Sequence, residues 1–68
     1  MTKISKKLGK NIKRIREEKG MSQGDICRAL SMDRGYISRV ENGLKNPTLS
    51  NLEKIAKALN ILPDELLK

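Results

Sequence analysis

The chain has 68 residues, a formal net charge of +7, one cysteine and no histidine, and Tyr36 is its only aromatic residue. That length makes residues 1–68 a single domain with a small aliphatic core, and it leaves no disulfide, no metal site of ordinary ligand type and no histidine-based catalytic pair. No cofactor is expected. The positive surplus favours an anionic partner. No apolar run approaches the ~20 residues of a membrane span, and MTKISKKLGK lacks the apolar core of a signal peptide, which points to the cytoplasm and away from the membrane.

Apolar residues at Ile4, Leu8, Ile12 and Ile15 form one helical stripe and predict a first helix over residues 3–19. Thr2 or Ser5 caps its start and Gly20 ends it. Its other face carries Lys6, Lys7, Lys10, Lys13 and Arg14. Ser22 reads as the next N-cap, with Asp25 placed at the positive end of the helix dipole. Ile26, Cys27, Ala29 and Leu30 supply the apolar face of a second helix over residues 22–30. Cys27 reads as a small buried hydrophobe and not as a redox group. Ser31 and Met32 break the pattern, and Asp33 is the following N-cap candidate. Ile37 and Val40 point inward on a third helix over residues 33–42, which Gly43 closes.

Leu44 to Pro47 form a loop, because Pro47 drives Asn46 out of helical geometry. Thr48 or Ser50 opens a fourth helix with a stripe of Leu49, Leu52, Ile55, Ala56 and Leu59, and a left-handed Asn60 ends it. Pro63, with Asp64 and Glu65 behind it, opens a short last helix. Strand-like alternation is missing, so the class is all-α, with five short helices.

The second and third helices are joined by about three residues, and helices so tightly joined must cross steeply. The crossing needs a small residue where they touch, which Cys27 supplies. It also needs apolar anchors, which Ile26, Leu30, Met32, Ile37 and Val40 supply. Arg34, Gly35, Tyr36, Ser38, Arg39 and Asn42 are then left on the outer face, rich in donors and positive charge.

The segment SQGDICRALSMDRGYISRVENG resembles the helix-turn-helix of the Cro, lambda repressor and Xre family of bacterial and phage regulators. The resemblance runs from about Leu8 to Leu67, through IKRIREEKGMSQ, YISRVENG and NPTLSNLEKIAKALNI. It departs at Ser31, where the family usually has glycine, and at Cys27, where it usually has alanine. A serine at positive φ carries some strain.

The resemblance implies a compact five-helix lambda-repressor-like domain whose helix-turn-helix spans residues 22–42. It implies a transcriptional regulator that binds double-stranded DNA in the major groove with the third helix. Arg34 is the first base-reading candidate, since its fork matches the two acceptors of guanine, and Arg39 is the second. Tyr36 and Ser38 reach a base, a thymine methyl or the backbone; for Tyr36 a position flat on the first helix stays open. Ser22 and Gln23 at the second helix, Gly35 by close approach, and Asn42, Lys45 and Asn46 in the loop are the phosphate candidates. Arg16 and Glu41 match a partly buried ion pair of the family and are assigned to architecture.

A homodimer on two half-sites ~34 Å apart is implied as well, with Ile61, Leu62, Leu66 and Leu67 in residues 60–68 as its contacts. The end at Lys68 leaves no room for an effector domain, so no small-molecule effector is expected. The run MDRGYISRVENGLKNPTLSNLE is similar to the controller proteins of restriction-modification systems. Two other classes are weaker. A protein-interaction module such as an antitoxin would need an extension beyond the helices. An enzyme would need more than the acid pairs Glu17-Glu18 and Asp64-Glu65, with no nucleophile-base pair and no Gly-rich phosphate loop.

Overall fold

The computed structural model describes residues 3–68. It contains α1 (Lys3–Glu18), α2 (Gln23–Leu30), α3 (Arg34–Glu41) and α4 (Leu49–Ala58), followed by a 3₁₀ turn at Pro63–Leu67. No strand occurs among the described residues. The expected fifth helix is therefore corrected to a 3₁₀ turn of 5 residues, which leaves 4 α-helices. Pro63 lacks an N–H, Leu62 offers no side-chain cap, and so short a stretch favours the tighter ladder. Among the described residues no helix is long and apolar enough to cross a membrane.

The buried face of α1 is Ser5, Leu8, Gly9, Ile12, Ile15 and Arg16. Ile4 does not join the stripe and is exposed. Ser5 takes the inward place and donates its hydroxyl to Asn46 Oδ1 in the loop after α3. It sits inside the helix and does not cap it, and Thr2 lies outside the described residues. Gly20 ends α1 in the left-handed region at φ 69°, a conformation that costs glycine little.

A reciprocal capping box starts α2: Ser22 Oγ accepts from the Asp25 N–H at 3.1 Å, and the Ser22 N–H donates to Asp25 Oδ2 at 2.8 Å. These bonds, the backbone one first, hold the Asp25 carboxyl below the usual carboxylate range. Ile26 and Cys27 are buried and Leu30 is half-buried, whereas Ala29 is exposed and belongs to the outer face. Burial pushes the Cys27 thiol up, so it stays protonated among its neighbours.

Ser31 ends α2 in the left-handed conformation (φ 54°, ψ 38°), and its N–H and that of Met32 both donate to the Cys27 carbonyl. A side chain in this region costs about 1–2 kcal/mol, partly offset in Ser31→Gly by the greater unfolded-state freedom of glycine. Ser31→Gly is therefore expected to raise stability by about 0.5–1 kcal/mol. A higher denaturation midpoint with an unchanged slope checks it; a lower midpoint would mean that the serine hydroxyl contributes more than the strain removes.

Asp33 has the extended backbone of an N-cap for α3, but its side chain makes no capping bond. Thr48, and not Ser50, caps α4 by accepting from the Asn51 N–H at 3.1 Å. Leu49 turns out of the α4 stripe and is exposed, while Leu52, Ile55, Ala56 and Leu59 are buried. Asn60 follows at φ 58°.

The core joins Leu8, Ile12, Ile26, Ile37, Ile55 and Leu66 with smaller neighbours. Leu66 is 0% exposed, so its assignment to a dimer contact is corrected: it fills the core of its own chain. Ile61 is half-buried against that core. Leu62 and Leu67, at 67% and 48% exposure, remain outside. The turn is tied to α1 by Asn11, whose Nδ2 donates to the Leu66 carbonyl at 2.8 Å and the Lys68 carbonyl at 3.2 Å.

Candidate nucleic-acid interface

Only Ser31, Met32 and Asp33 separate α2 from α3. The buried Ile37, Val40 and Glu41 fix which side of α3 faces inward. Arg34 and Arg39 are exposed, Gly35 and Ser38 are half-buried, and Asn42 is exposed just past the helix end. Among the described residues no hydrogen bond or ion pair engages either guanidinium. Both are free to take a new partner.

Gly35 lies beneath two of its neighbours. A Cβ added there would stand 2.9 Å from Asp33 Oδ2 and 3.5 Å from an Arg39 guanidinium nitrogen. Asp33 thus brings a carboxylate to the surface that Arg39 occupies. The sequence reading treated it only as a cap; its missing capping bond leaves the carboxylate at the surface instead.

Tyr36 is tied to α4 and not to α1: Asn51 Nδ2 donates to its hydroxyl at 3.0 Å. The Lys45 ammonium stands 5.9 Å from its ring centroid, within cation–π range. Tyr36 is half-buried against the core, so this bond and the packing limit how far it can swing.

The phosphate candidates divide. Ser22, Asn42, Lys45 and Asn46 are exposed, although Asn46 spends its Oδ1 on Ser5. Gln23 differs from the expectation. Its amide nitrogen turns inward and donates to Glu41 Oε1 at 3.0 Å. The physical cause is Glu41, whose carboxylate is nearly sealed from water and retains lone pairs to satisfy.

Arg16 Nε donates to Glu41 Oε2 at 2.7 Å, and its second terminal nitrogen to Oε1 at 3.1 Å. The other terminal nitrogen donates to the Met21 carbonyl at 2.8 Å. The bond to Glu41 raises the Arg16 pKa, so the pair is fully charged. This network ties α1, the start of α2 and the end of α3 together. Gly9 seals the same junction, for a Cβ there would lie 2.4 Å from the Val40 carbonyl oxygen and 2.5 Å from that of Glu41.

Away from α3, an open apolar groove of about 860 Å³ runs between α4 and the 3₁₀ turn, lined by Leu49, Leu52, Ala56, Ile61, Leu62 and Leu67 among others. No residue of α3 lines it.

The helix-turn-helix family profile matches residues 12–66. The chain belongs to the Xre-type helix-turn-helix family. The control protein C.MunI of a Mycoplasma species is 40% identical over 67 residues, covering 97% of this chain and 90% of that protein. The restriction-modification controller protein C.AhdI from Aeromonas hydrophila superposes with a TM-score of 0.86 at 39% identity, over 90% of this chain and 92% of its own. The controller protein C.Esp1396I, solved as a tetramer with its natural 35-base-pair operator, gives a TM-score of 0.85 at 36% identity and full coverage of both chains. The departures at Ser31 and Cys27 leave the family fold intact, as the left-handed turn and the buried thiol show.

Proposed function

We propose that this chain is a sequence-specific double-stranded DNA-binding transcriptional regulator that enters the major groove with α3. The observation that carries the reading is the pair of exposed, unengaged guanidinium groups of Arg34 and Arg39 on a short helix held rigidly by α1 and α2. Arg34 reads a guanine through its two acceptors, Arg39 and Ser38 read neighbouring base edges, and Tyr36 adds an edge contact from its half-buried position. Asn42, Lys45 and Asn46 hold backbone phosphates on one side, and Ser22 with the first amides of α2 holds them on the other. Gln23 acts through Glu41 and aligns α2. Gly35 admits the backbone of the duplex closely.

A single α3 covers too few base pairs to define an operator, so the chain acts as a homodimer on a two-fold site. Leu62 and Leu67 beside the groove between α4 and the 3₁₀ turn supply its contact, with Ile61 beneath them. The operator complex of the related C.Esp1396I supports this arrangement, and the controller-protein relatives support a role in governing a restriction-modification system. The reading is of a binding protein with no catalytic step, acting in the cytoplasm without a small-molecule effector.

Selection of bound duplexes from random DNA tests it. A consensus with two-fold symmetry is expected; recovery of unrelated sequences would refute the reading. On the selected site Arg34→Ala is expected to cost about 1–3 kcal/mol and to relax choice at one base pair of each half-site. Equal loss on every sequence would move Arg34 to the phosphate group.

A further inference from the structure

Lys3, Lys6, Lys10 and Lys13 recur at spacings of three, four and three, and all are exposed. They form one row along α1, about 15 Å long at ~1.5 Å per residue. The row ends at Glu17, one turn beyond Lys13. None of the four lysines takes part in an ion pair among the described residues; α1 spends its pairs on Arg14–Glu18 and Arg16–Glu41.

Such a row is unfavourable for the isolated fold. Like charges one turn apart repel. The first turn of α1 has no acidic residue, so lysines meet the positive end of the helix dipole. The charge returns nothing to the core.

Its position gives it a use. At one end of α1, a Cβ on Gly43 would lie 3.1 Å from Lys6 Cα and 3.0 Å from its Cγ, and Ser5 bonds Asn46. Midway, Gly9 rests on the last carbonyls of α3. At the other end Arg16 reaches the Met21 carbonyl and shares Glu41 with Gln23. The lysine row thus runs beside the path from the loop after α3 to the start of α2, the two segments assigned above to phosphates.

We propose that the Lys3–Lys6–Lys10–Lys13 row is a second DNA-backbone contact, which grips phosphates flanking the base pairs read by α3. It rests on the DNA-binding reading and extends the footprint without adding sequence choice. A phosphate backbone is the occupant that matches the row, because it repeats negative charge at ~3.4 Å per strand along the axis and needs no shaped pocket.

The test compares Lys6→Gln/Lys10→Gln with a charge-matched control, Lys54→Gln/Lys68→Gln, on the selected duplex with long and with trimmed flanks. Two lost phosphate contacts should flatten the slope of log affinity against log salt by about 2. Base preferences should stay those of the unaltered protein, and the control should keep its slope. Trimming the flanks should weaken the unaltered protein but not the row variant. The variant's melting temperature should hold or rise, since repulsion is relieved. An unchanged salt slope in the row variant, a shifted base preference, or indifference of the unaltered protein to flank length each overturns the row while leaving the α3 reading standing. Failure of the unaltered protein to prefer any duplex overturns the α3 reading and the row together.

Discussion

Glu41→Ala is expected to lower folding stability by about 3–5 kcal/mol, and to weaken DNA binding only through that loss. The Glu41 side chain is 2% exposed and that of Arg16 10%, so neither charge can be rehydrated without moving helices. Removing the carboxylate strands a guanidinium that keeps one bond, to the Met21 carbonyl, and orphans the Gln23 amide in the same step. A domain of this size has only a small reserve to lose. Chemical denaturation of the variant beside the unaltered protein measures the effect. Glu41→Gln should fall between them, since one amide oxygen can still accept from Arg16 while the new NH₂ faces its donors. A variant that kept the original midpoint yet lost DNA binding would transfer Glu41 from the framework to the interface.

That pair marks the boundary of what the sequence discloses. Nothing in the spacing of Arg16 and Glu41 joins them; only the family resemblance did. Local chemistry was easier to read. The reciprocal cap at Ser22 and Asp25, the left-handed stops at Gly20, Gly43 and Asn60, and the inward Ile37 and Val40 all follow from neighbours a few residues away, and the structure has them. Misplacements cluster where a distant element decides. Ile4 loses its place in the stripe to Ser5 because the loop after α3 offers Asn46 to the hydroxyl. Leu66 goes inside and Leu67 outside because a 3₁₀ turn advances by about three residues per turn, a choice no apolar pattern of five residues can reveal. The Gln23 amide faces Glu41 because a buried carboxylate, invisible to periodicity, needs another donor. At the interface the outward set of α3 was legible from periodicity, whereas the bond of Tyr36 to Asn51 on α4 and the approach of Asp33 to Gly35 required coordinates.

The glycine at position 9 gives the second large effect. By helix propensity alone, Gly9→Ala in the middle of α1 should gain about 1 kcal/mol. The geometry reverses the sign. The new methyl would sit 2.4 Å from the Val40 carbonyl oxygen, 2.5 Å from the Glu41 oxygen and 2.8 Å from the Glu41 carbonyl carbon. All three are backbone atoms at the end of a helix, so none can rotate away as a side chain would. Relief comes only by lifting α1 off α3, which opens the core around Ile12 and strains the Arg16–Glu41 bonds at once. Overpacking of this kind costs typically 1–3 kcal/mol after relaxation, so a net loss of about 2 kcal/mol is expected once the propensity gain is subtracted. Gly24→Ala is the internal comparison. There the nearest atom is a flexible Arg28 guanidinium nitrogen at 3.4 Å, so the propensity gain should survive as about 0.5–1 kcal/mol of added stability. Denaturation midpoints that move in opposite directions for the two variants would establish that contact with α3, and not helix preference, keeps glycine at position 9; a stabilised Gly9→Ala protein would mean that α1 does not lie on α3 as closely as the structure has it.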